Sequence, residues 1–170
     1  MPVRKLAQFL RLHRAEQWIL IQSVLLLPLV AVLLRTIGLA RSWALLRRAG
    51  PHPLTPSPQY GEGELQLAVR APSPEGRGGQ GVRTTVRLVD IAARHLPWQP
   101  TCLPRSLVLW CLLRRQGVPA ELRIGVQKSR QQLNAHAWVE VAGCVVNDTP
   151  DIAARFPPFE SIAAALHVPP

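Results

Sequence analysis

Helical and strand-like hydrophobic spacing follow one another along the second half of the chain. Residues 101–117 hold a long apolar run in which Thr101 suits an N-cap and Pro104 is tolerated only in a first helical turn. Gly117 and Pro119 follow this run and are typical of the residues after a helix end. The pattern therefore predicts a helix that begins directly after Thr101.

Strand-like alternation comes next. Apolar and polar residues alternate in residues 121–128 and 135–141, and residues 144–148 return after a short turn. Neighbouring short strands with short connections favour an antiparallel sheet. A further helix, from residues 84–85 to Leu96, is expected to pack behind the first one. The pattern predicts an α+β fold with a small antiparallel sheet.

The N-terminal part is more apolar. Residues 18–34 are almost all hydrophobic, are flanked by Arg14 and Arg35, and are interrupted by Pro28. A membrane span needs about 20 apolar residues, so this run is borderline. We interpret it as a buried or amphipathic helical hairpin, kinked or divided at Pro28, that packs on the rest of the protein or on a partner. Membrane attachment remains the first alternative and a signal sequence the second.

Proline and glycine concentrate between residues 51 and 81. A segment that cannot bury apolar surface stays disordered, so we predict a linker or insertion there. The chain therefore divides into a hydrophobic helical region (residues 1–50), a Pro/Gly-rich linker (residues 51–81) and a folded domain (residues 82–170).

The net charge and the cysteine content limit which classes of binding partner and which compartment the chain suits. The 170-residue chain has a net charge of +10, but only 5% of its residues are aromatic and no basic run alternates with them, which argues against nucleic acid. A solvated basic face is the simplest interpretation, and an acidic peptide or an anionic membrane surface is the alternative. Three cysteines without paired spacing favour a reducing cytoplasm. No metal-ligand spacing is present, so we expect neither a metal nor another cofactor.

A thiol, an imidazole and a carboxylate lie at positions in these predicted elements that suit catalysis by a cysteine. Cys102 would lie at the positive end of a helix dipole, which favours thiolates. His136 lies in the second strand and Asp148 follows the third. In cysteine catalysis the thiolate attacks, the imidazole transfers a proton, and the carboxylate orients the imidazole. We interpret these three residues as catalytic, and Cys111 and Cys144 as core residues.

The turn between the last two strands decides whether His136 and Asp148 share a face. Gly143 suits the left-handed position of a three-residue loop with a G1 bulge. We therefore predict that Glu140 pairs with Cys144, which places His136 opposite Asp148. A two-residue loop would turn Asp148 to the other face of the sheet.

Short motifs in this part of the chain resemble one known family. The motifs are Leu-Pro-Trp at 96–98, Thr-Cys-Leu-Pro-Arg-Ser-Leu at 101–107, Leu-Leu-Arg-Arg-Gln-Gly-Val-Pro-Ala at 112–120 and His-Ala-Trp-Val-Glu at 136–140. With them, the sequence from about Val82 to Glu160 resembles the transglutaminase-like cysteine proteases of lasso-peptide biosynthesis. The resemblance is strongest to their short, stand-alone leader peptidases of the B2 type.

This resemblance implies a transglutaminase-like, papain-like core with Cys102 as nucleophile, His136 as base and Asp148 as orienting carboxylate. It also implies an activity, the removal of the leader from a ribosomally made precursor peptide. The partners it implies are the precursor leader, a separate leader-recognition protein of the B1 type and an ATP-dependent lasso cyclase. The long linker departs from what the family leads us to expect.

Two other functions remain open at this stage. Acyl transfer to an amine, as in transglutaminases, uses the same three residue types. A non-catalytic protein that holds the precursor and the cyclase together is the other alternative. We also expect Trp138 to shield the imidazole from water, and Arg105 and Arg123 to be solvated surface residues rather than leader contacts.

Overall fold

The computed structural model describes residues 13–49, 77–129 and 132–158. The helices are α1 (Arg14–Thr36), α2 (Gly38–Ala49), α3 (Arg77–His95), α4 (Cys102–Arg115) and α5 (Ile152–Arg155). The strands are β1 (Ala120–Ser129), β2 (Gln132–Val141) and β3 (Cys144–Val145), in one antiparallel sheet of order β1-β2-β3. The predicted α+β fold with N-terminal apolar helices is confirmed.

Helix α1 is continuous through Pro28, so of the kink or division expected there the division is wrong. His13 caps its N-terminus, where the imidazole accepts from the Arg14 amide and the His13 amide donates to Glu16. One face of the helix buries Leu27 and Val30 against α3 and α4. This packing supports the helix around the single hydrogen bond that a proline removes.

The outward face of α1 is also apolar. Trp18 is 61% exposed and Leu25 is 65% exposed, and Ile21, Leu29 and Val32 lie on the same exposed side. Among the described residues, α1 is the one helix whose length and hydropathy suit a membrane span. Buried core helices of soluble proteins share that composition, so length and hydropathy alone do not assign a membrane role.

Helix α3 begins at Arg77, earlier than the predicted start at residues 84–85. The glycine-rich residues 78–81 belong to its first turns, where backbone amides need no partner within the helix. The Thr85 hydroxyl lies 2.9 Å from the Gly81 carbonyl oxygen and 3.1 Å from the Gln116 side-chain oxygen. These contacts connect α3 to the end of α4. Residues 51–76 of the predicted linker lie outside the described residues.

Helix α4 forms the centre of the core. Its residues from Ser106 to Leu113 are buried between α1 and α3 on one side and the sheet on the other. The sheet contributes one buried face, to which Leu122, Val139 and Val141 belong. His136, Trp138 and Glu140 alternate with these residues and therefore lie on the opposite face.

The β2–β3 turn differs from the prediction. Val141 pairs with Cys144, so the loop has two residues and the predicted three-residue register is wrong. Ala142 (φ 50°) and Gly143 (φ 74°) both have the positive φ of a type I′ turn, whose twist matches that of the two strands. Because β3 ends at Val145, the ladder does not determine which side Asp148 takes.

Candidate active site

The chain leaves the sheet at a defined point after β3. The Val146 amide still donates to the Val139 carbonyl, over 3.0 Å. The Val139 amide then donates to the side-chain oxygen of Asn147, over 2.7 Å. The Asn147 side chain thus takes the place of a backbone acceptor, and the backbone bends where a third strand would have continued. Because of this bend, the β2–β3 register no longer determines on which face of the sheet the Asp148 side chain lies.

His136 and Asp148 are in direct contact despite the unexpected register. Nε2 of His136 lies 2.7 Å from Oδ2 of Asp148, and each side chain is about one quarter exposed (26% and 25%). An ionised carboxylate can only accept a hydrogen bond, so Nε2 carries the proton. Nδ1 of the neutral ring is then the nitrogen with a free lone pair, which is the nitrogen that can act as a base.

The electrostatics of Asp148 favour its ionised form. Burial raises the pKa of this carboxyl group, but hydrogen bonds and charge from His136 and Thr149 outweigh burial and hold the pKa below its usual value. The Thr149 amide donates to Oδ1 over 2.8 Å, which leaves Oδ2 for the imidazole. The carboxylate is therefore held by two neighbours and remains negative near neutral pH.

Cys102 is the first residue of α4, as the sequence predicted, and its side chain is half-buried. Thr101 has the extended backbone of an N-cap, but its side chain makes no capping hydrogen bond. The Thr101 hydroxyl therefore accepts no hydrogen bond from the backbone amides of the first turn. They point along the helix axis toward the region beside the thiol.

One turn after Cys102, a buried serine joins α4 to the sheet. Ser106 Oγ donates to the Ala137 carbonyl over 2.9 Å and accepts from Asn147 Nδ2 over 2.9 Å. The Ala137 carbonyl points to the same edge of β2 as the amide and carbonyl of Val139. Ser106 therefore lies where β3 would have continued. The carbonyl that it contacts belongs to Ala137, the residue directly after His136. This arrangement brings the first turn of α4 to the edge of the strand that carries the imidazole.

We call Ser106, Asn147, the Ala137 carbonyl and the Val139 amide the serine–asparagine junction. Its groups come from three parts of the chain: Ser106 from α4, Asn147 from the segment after β3, and the Ala137 carbonyl and the Val139 amide from β2. The junction is one residue from His136, one residue from Asp148 and one helical turn, about 5.4 Å, from Cys102. It therefore connects the three segments that carry the predicted catalytic residues.

We expect Ser106→Ala to destabilise the protein by about 1–3 kcal/mol, because it leaves the Ala137 carbonyl and the Asn147 amide without their buried partner. Ser23→Ala is the matched control. Ser23 is equally buried, but its hydroxyl bonds only to the Ile19 carbonyl within its own helix. Its replacement should change the free energy of unfolding by less than about 0.5 kcal/mol. Equal effects of the two variants in urea unfolding would contradict a junction between elements.

Two aromatic rings border the imidazole. The Phe156 ring centroid is 5.2 Å from that of His136, and the Trp138 ring centroid is 6.5 Å away. Trp138 is fully buried beside the imidazole and donates through Nε1 to Glu140. The predicted position of Trp138 next to the imidazole is thus observed, and Phe156 is an additional neighbour.

The Phe156 backbone reaches this position because β1 has a glycine opposite His136. Gly125 pairs with His136, and it also forms an isolated bridge to Pro158. A Cβ atom on Gly125 would lie 2.2 Å from the Phe156 carbonyl oxygen. The absence of a side chain at Gly125 therefore lets the segment 156–158 cross β1 and cover the imidazole.

Gly125→Ala should destabilise the protein by about 1–3 kcal/mol and displace Phe156 from His136, because a backbone oxygen cannot yield to the added methyl group without moving its segment. Gly81→Ala serves as the control, since a Cβ there would meet nothing within 4 Å in α3. We expect that control to be neutral or slightly stabilising. The measurement is the unfolding midpoint in urea, and wild-type stability of Gly125→Ala would refute the close approach.

The other two cysteines have different surroundings. Cys111 is 2% exposed, and burial raises the pKa of its thiol although Arg115 and Arg114 partly oppose that shift. Cys144 is half-buried in β3. The interpretation of Cys111 as a core residue is confirmed. Cys144 lies at the margin of the core rather than within it.

The two arginines considered as leader contacts are both ion-paired. Arg105 pairs with Asp90 of α3, and Arg123 pairs with Glu121 and Glu140. Arg105 thereby connects the first turns of α4 to α3. These arginines organise the surface around the site.

Sequence reasoning missed four residues that shape the site: Ser106, Gly125, Asn147 and Phe156. Only Gly125 carried a local signal, because an isolated glycine inside a strand often marks a close backbone approach. The other three act through contacts between distant segments, which no local pattern reveals. Within residues 13–49, 77–129 and 132–158, no three histidine, cysteine or carboxylate groups cluster as a metal site.

A known protein family matches most of the chain. Residues 24–161 match the transglutaminase-like superfamily, and the match includes α4, the sheet and most of α1. No curated protein and no solved structure gives a significant match. Members of this superfamily typically use a cysteine, a histidine and an aspartate. Since the match covers most of its 170 residues, the chain belongs to the transglutaminase-like superfamily.

Proposed function

We propose that this protein is a cysteine peptidase that removes the leader from a lasso-type precursor peptide. The observation that carries the proposal is the hydrogen bond between His136 and Asp148, at the strand edge to which the helix beginning at Cys102 is attached. The superfamily match supports acyl-transfer chemistry. The choice of a lasso leader as substrate rests on the motif resemblance in residues 96–140.

In the first half of the reaction, His136 Nδ1 accepts the Cys102 thiol proton and the sulfur attacks the scissile carbonyl carbon. The C–N bond breaks as the imidazolium returns this proton to the leaving amine, which leaves a thioester on Cys102. Asp148 holds the ring through Nε2 and stabilises its positive charge. Backbone amides of Cys102 and Leu103 would stabilise the oxyanion at the start of α4.

In the second half, water replaces the departed amine. His136 takes a proton from this water, and the oxygen attacks the thioester carbonyl. The C–S bond breaks, which releases the leader as a carboxylic acid and returns the thiol to Cys102. The net reaction consumes one water molecule and needs no oxidant, nucleotide or metal for its balance.

The proposal includes partners and a compartment. A separate leader-recognition protein would deliver the precursor, and an ATP-dependent cyclase would use the freed core peptide. The cytoplasm suits the site because a catalytic thiol must stay reduced. The exposed apolar face of α1 offers these partners, or the membrane surface, an area to cover.

Acyl transfer to an amine is the second candidate, because the superfamily takes its name from transglutaminases. In that reaction an amine, instead of water, attacks the thioester on Cys102. The geometry of His136 and Asp148 serves both reactions equally. The difference therefore lies in the product and not in the three catalytic groups.

Mass spectrometry of the reaction products tests the proposal. The full chain is incubated with a lasso-type precursor peptide and its leader-recognition protein, with and without a primary amine. We expect a free leader acid and a core peptide with a free amino terminus. A product that gains an amide to the added amine would favour the transferase. An unchanged precursor that nevertheless forms a complex with the chain would favour the docking protein.

A further inference from the structure

A cleft lies between one side of α3 and the segment around β3. Its volume is about 340 Å³, which is within the size range of small-ligand and peptide side-chain sites. Apolar residues from both walls line it, including Val86 and Ile91 from α3 and Val145 and Val146 from the sheet side. Apart from the Val146 amide, which donates to β2, none of these residues takes part in the contacts of the candidate active site, so the cleft needs an explanation of its own.

The rim of the cleft is positively charged. Arg83, Arg87, Asp90 and Arg94 line it at positions i, i+4, i+7 and i+11 of α3, which is the spacing of one helix face. Asp90 is the one carboxylate among the lining residues, and it is ion-paired with Arg105. Arg87 and Arg94 are exposed. The rim therefore attracts negative charge above an apolar floor.

The backbone at the other wall suits an extended chain. Val146 donates to β2 and Val141 pairs with Cys144, so Val145 lies between two hydrogen-bonded positions. The amide and carbonyl of Val145 consequently point away from β2, toward the outer edge of the sheet. An extended peptide commonly binds such an edge through its own backbone.

The cleft also adjoins the candidate active site at both walls. On the helix side, Asp90 contacts Arg105, which lies in the first turn of α4 with Cys102. On the sheet side, Val146 is followed by Asn147 and Asp148. A chain seated in the cleft would therefore lie beside the segments that carry Cys102 and Asp148.

We propose that this cleft binds an extended, acidic segment of the peptide substrate. Apolar side chains of that segment would fill the floor, and two or more carboxylates would pair with Arg87 and Arg94. A guanidinium suits this role because it can donate two parallel hydrogen bonds to one carboxylate. The identification of the bound peptide as substrate rests on the proposed function, whereas the binding of an acidic peptide does not.

Fluorescence anisotropy tests the binding with the full chain carrying Cys102→Ala, so that no bound peptide is cleaved. The probes are two labelled peptides of alternating valine with glutamate or with glutamine, matched in length. We expect the glutamate peptide to bind at least about tenfold more tightly. Arg87→Glu with Arg94→Glu should remove that preference. Should this pair unfold the chain, Arg87→Ala with Arg94→Ala replaces it.

Arg35→Glu with Arg115→Glu is the matched control, because it changes the net charge equally at exposed positions outside the cleft. Equal weakening by both pairs would overturn the proposal, since it would show a general charge effect. Displacement of the peptide by inorganic phosphate at constant ionic strength would also overturn it, in favour of a small-anion site. A dimer that the Arg87/Arg94 pair dissociates would assign the cleft to a second copy.

The outcomes separate this proposal from the peptidase. Binding of the glutamate peptide without leader removal by the wild-type chain would contradict the peptidase and leave the cleft assignment in place. Normal leader removal by the Arg87/Arg94 variant, together with equal binding of the two peptides by the chain in which both arginines are intact, would contradict the cleft alone. A raised KM with unchanged kcat in that variant would support both.

Discussion

Cys102→Ala abolishes leader removal, with an expected loss of at least about 10⁴-fold in kcat, because the other thiol on α4, Cys111, is buried and cannot reach a substrate. The side chain is half-buried at the first helical position, so its replacement by alanine should leave the fold intact. The measurement is a time course of leader release by chromatography and mass spectrometry. Circular dichroism and the urea midpoint establish that the variant is folded.

Cys144→Ala is the matched control for this loss. Cys144 is also a half-buried free cysteine, but it lies in β3, paired with Val141, and not at a helix N-terminus. Its replacement should retain activity within about threefold of wild type. If Cys144→Ala were inactive and Cys102→Ala active, the nucleophile would be misassigned. If both variants cleaved normally, neither Cys102 nor Cys144 would be the nucleophile.

The helix that carries the proposed nucleophile was predictable because residues directly next to its two ends mark where it begins and ends. Thr101 with Pro104 marks its start and Gly117 with Pro119 its end, and α4 begins at Cys102 as those residues predicted. Start and stop signals act over a few residues, so no distant contact was needed to place the thiol at a helix terminus.

The turn after β2 shows where local reasoning failed. A G1 bulge and a type I′ turn both accept glycine at position 143, and the sequence alone favoured the bulge. The structure has the I′ turn, with Ala142 in the left-handed region that usually favours glycine or asparagine. The pairing of Val141 with Cys144 and the twist of β2 favour the I′ turn over a bulge of similar local energy.

His136 and Asp148 are in contact although the predicted register was wrong, and the reason lies outside the hairpin. Had β3 continued, the observed register would have placed Asp148 on the wrong face. Ser106 of α4 instead bonds to the Ala137 carbonyl, and Asn147 bonds to both Ser106 and the Val139 amide. A helix distant in sequence therefore ends the strand and redirects the carboxylate. The right pair was predicted through a wrong register.

Asp148→Ala should lower kcat by about 10²–10³-fold with little change in KM, because the imidazole loses the acceptor that holds its tautomer and its orientation. Asp148→Asn should retain activity within about tenfold, since its single amide oxygen can accept from Nε2 of His136 when the exposed Thr149 amide turns to solvent. This ordering distinguishes orientation of the ring from a need for full negative charge. The measurement is steady-state kinetics of leader release by both variants. Equal, severe losses would show that the charge itself is required.

The same carboxylate gives a pH signature that separates these variants. Because its neighbours hold the pKa of Asp148 below the ordinary value of about 3.9, the ionised group stabilises the folded state at every pH above that value. This contribution is lost as the pH falls through the depressed folded-state pKa. Asp148→Asn cannot titrate there, so the stability gap between wild type and variant should be widest at neutral pH and should narrow below about pH 4. A gap that stayed constant in urea unfolding from pH 7 to pH 3 would mean that Asp148 is not held as an ionised partner of His136.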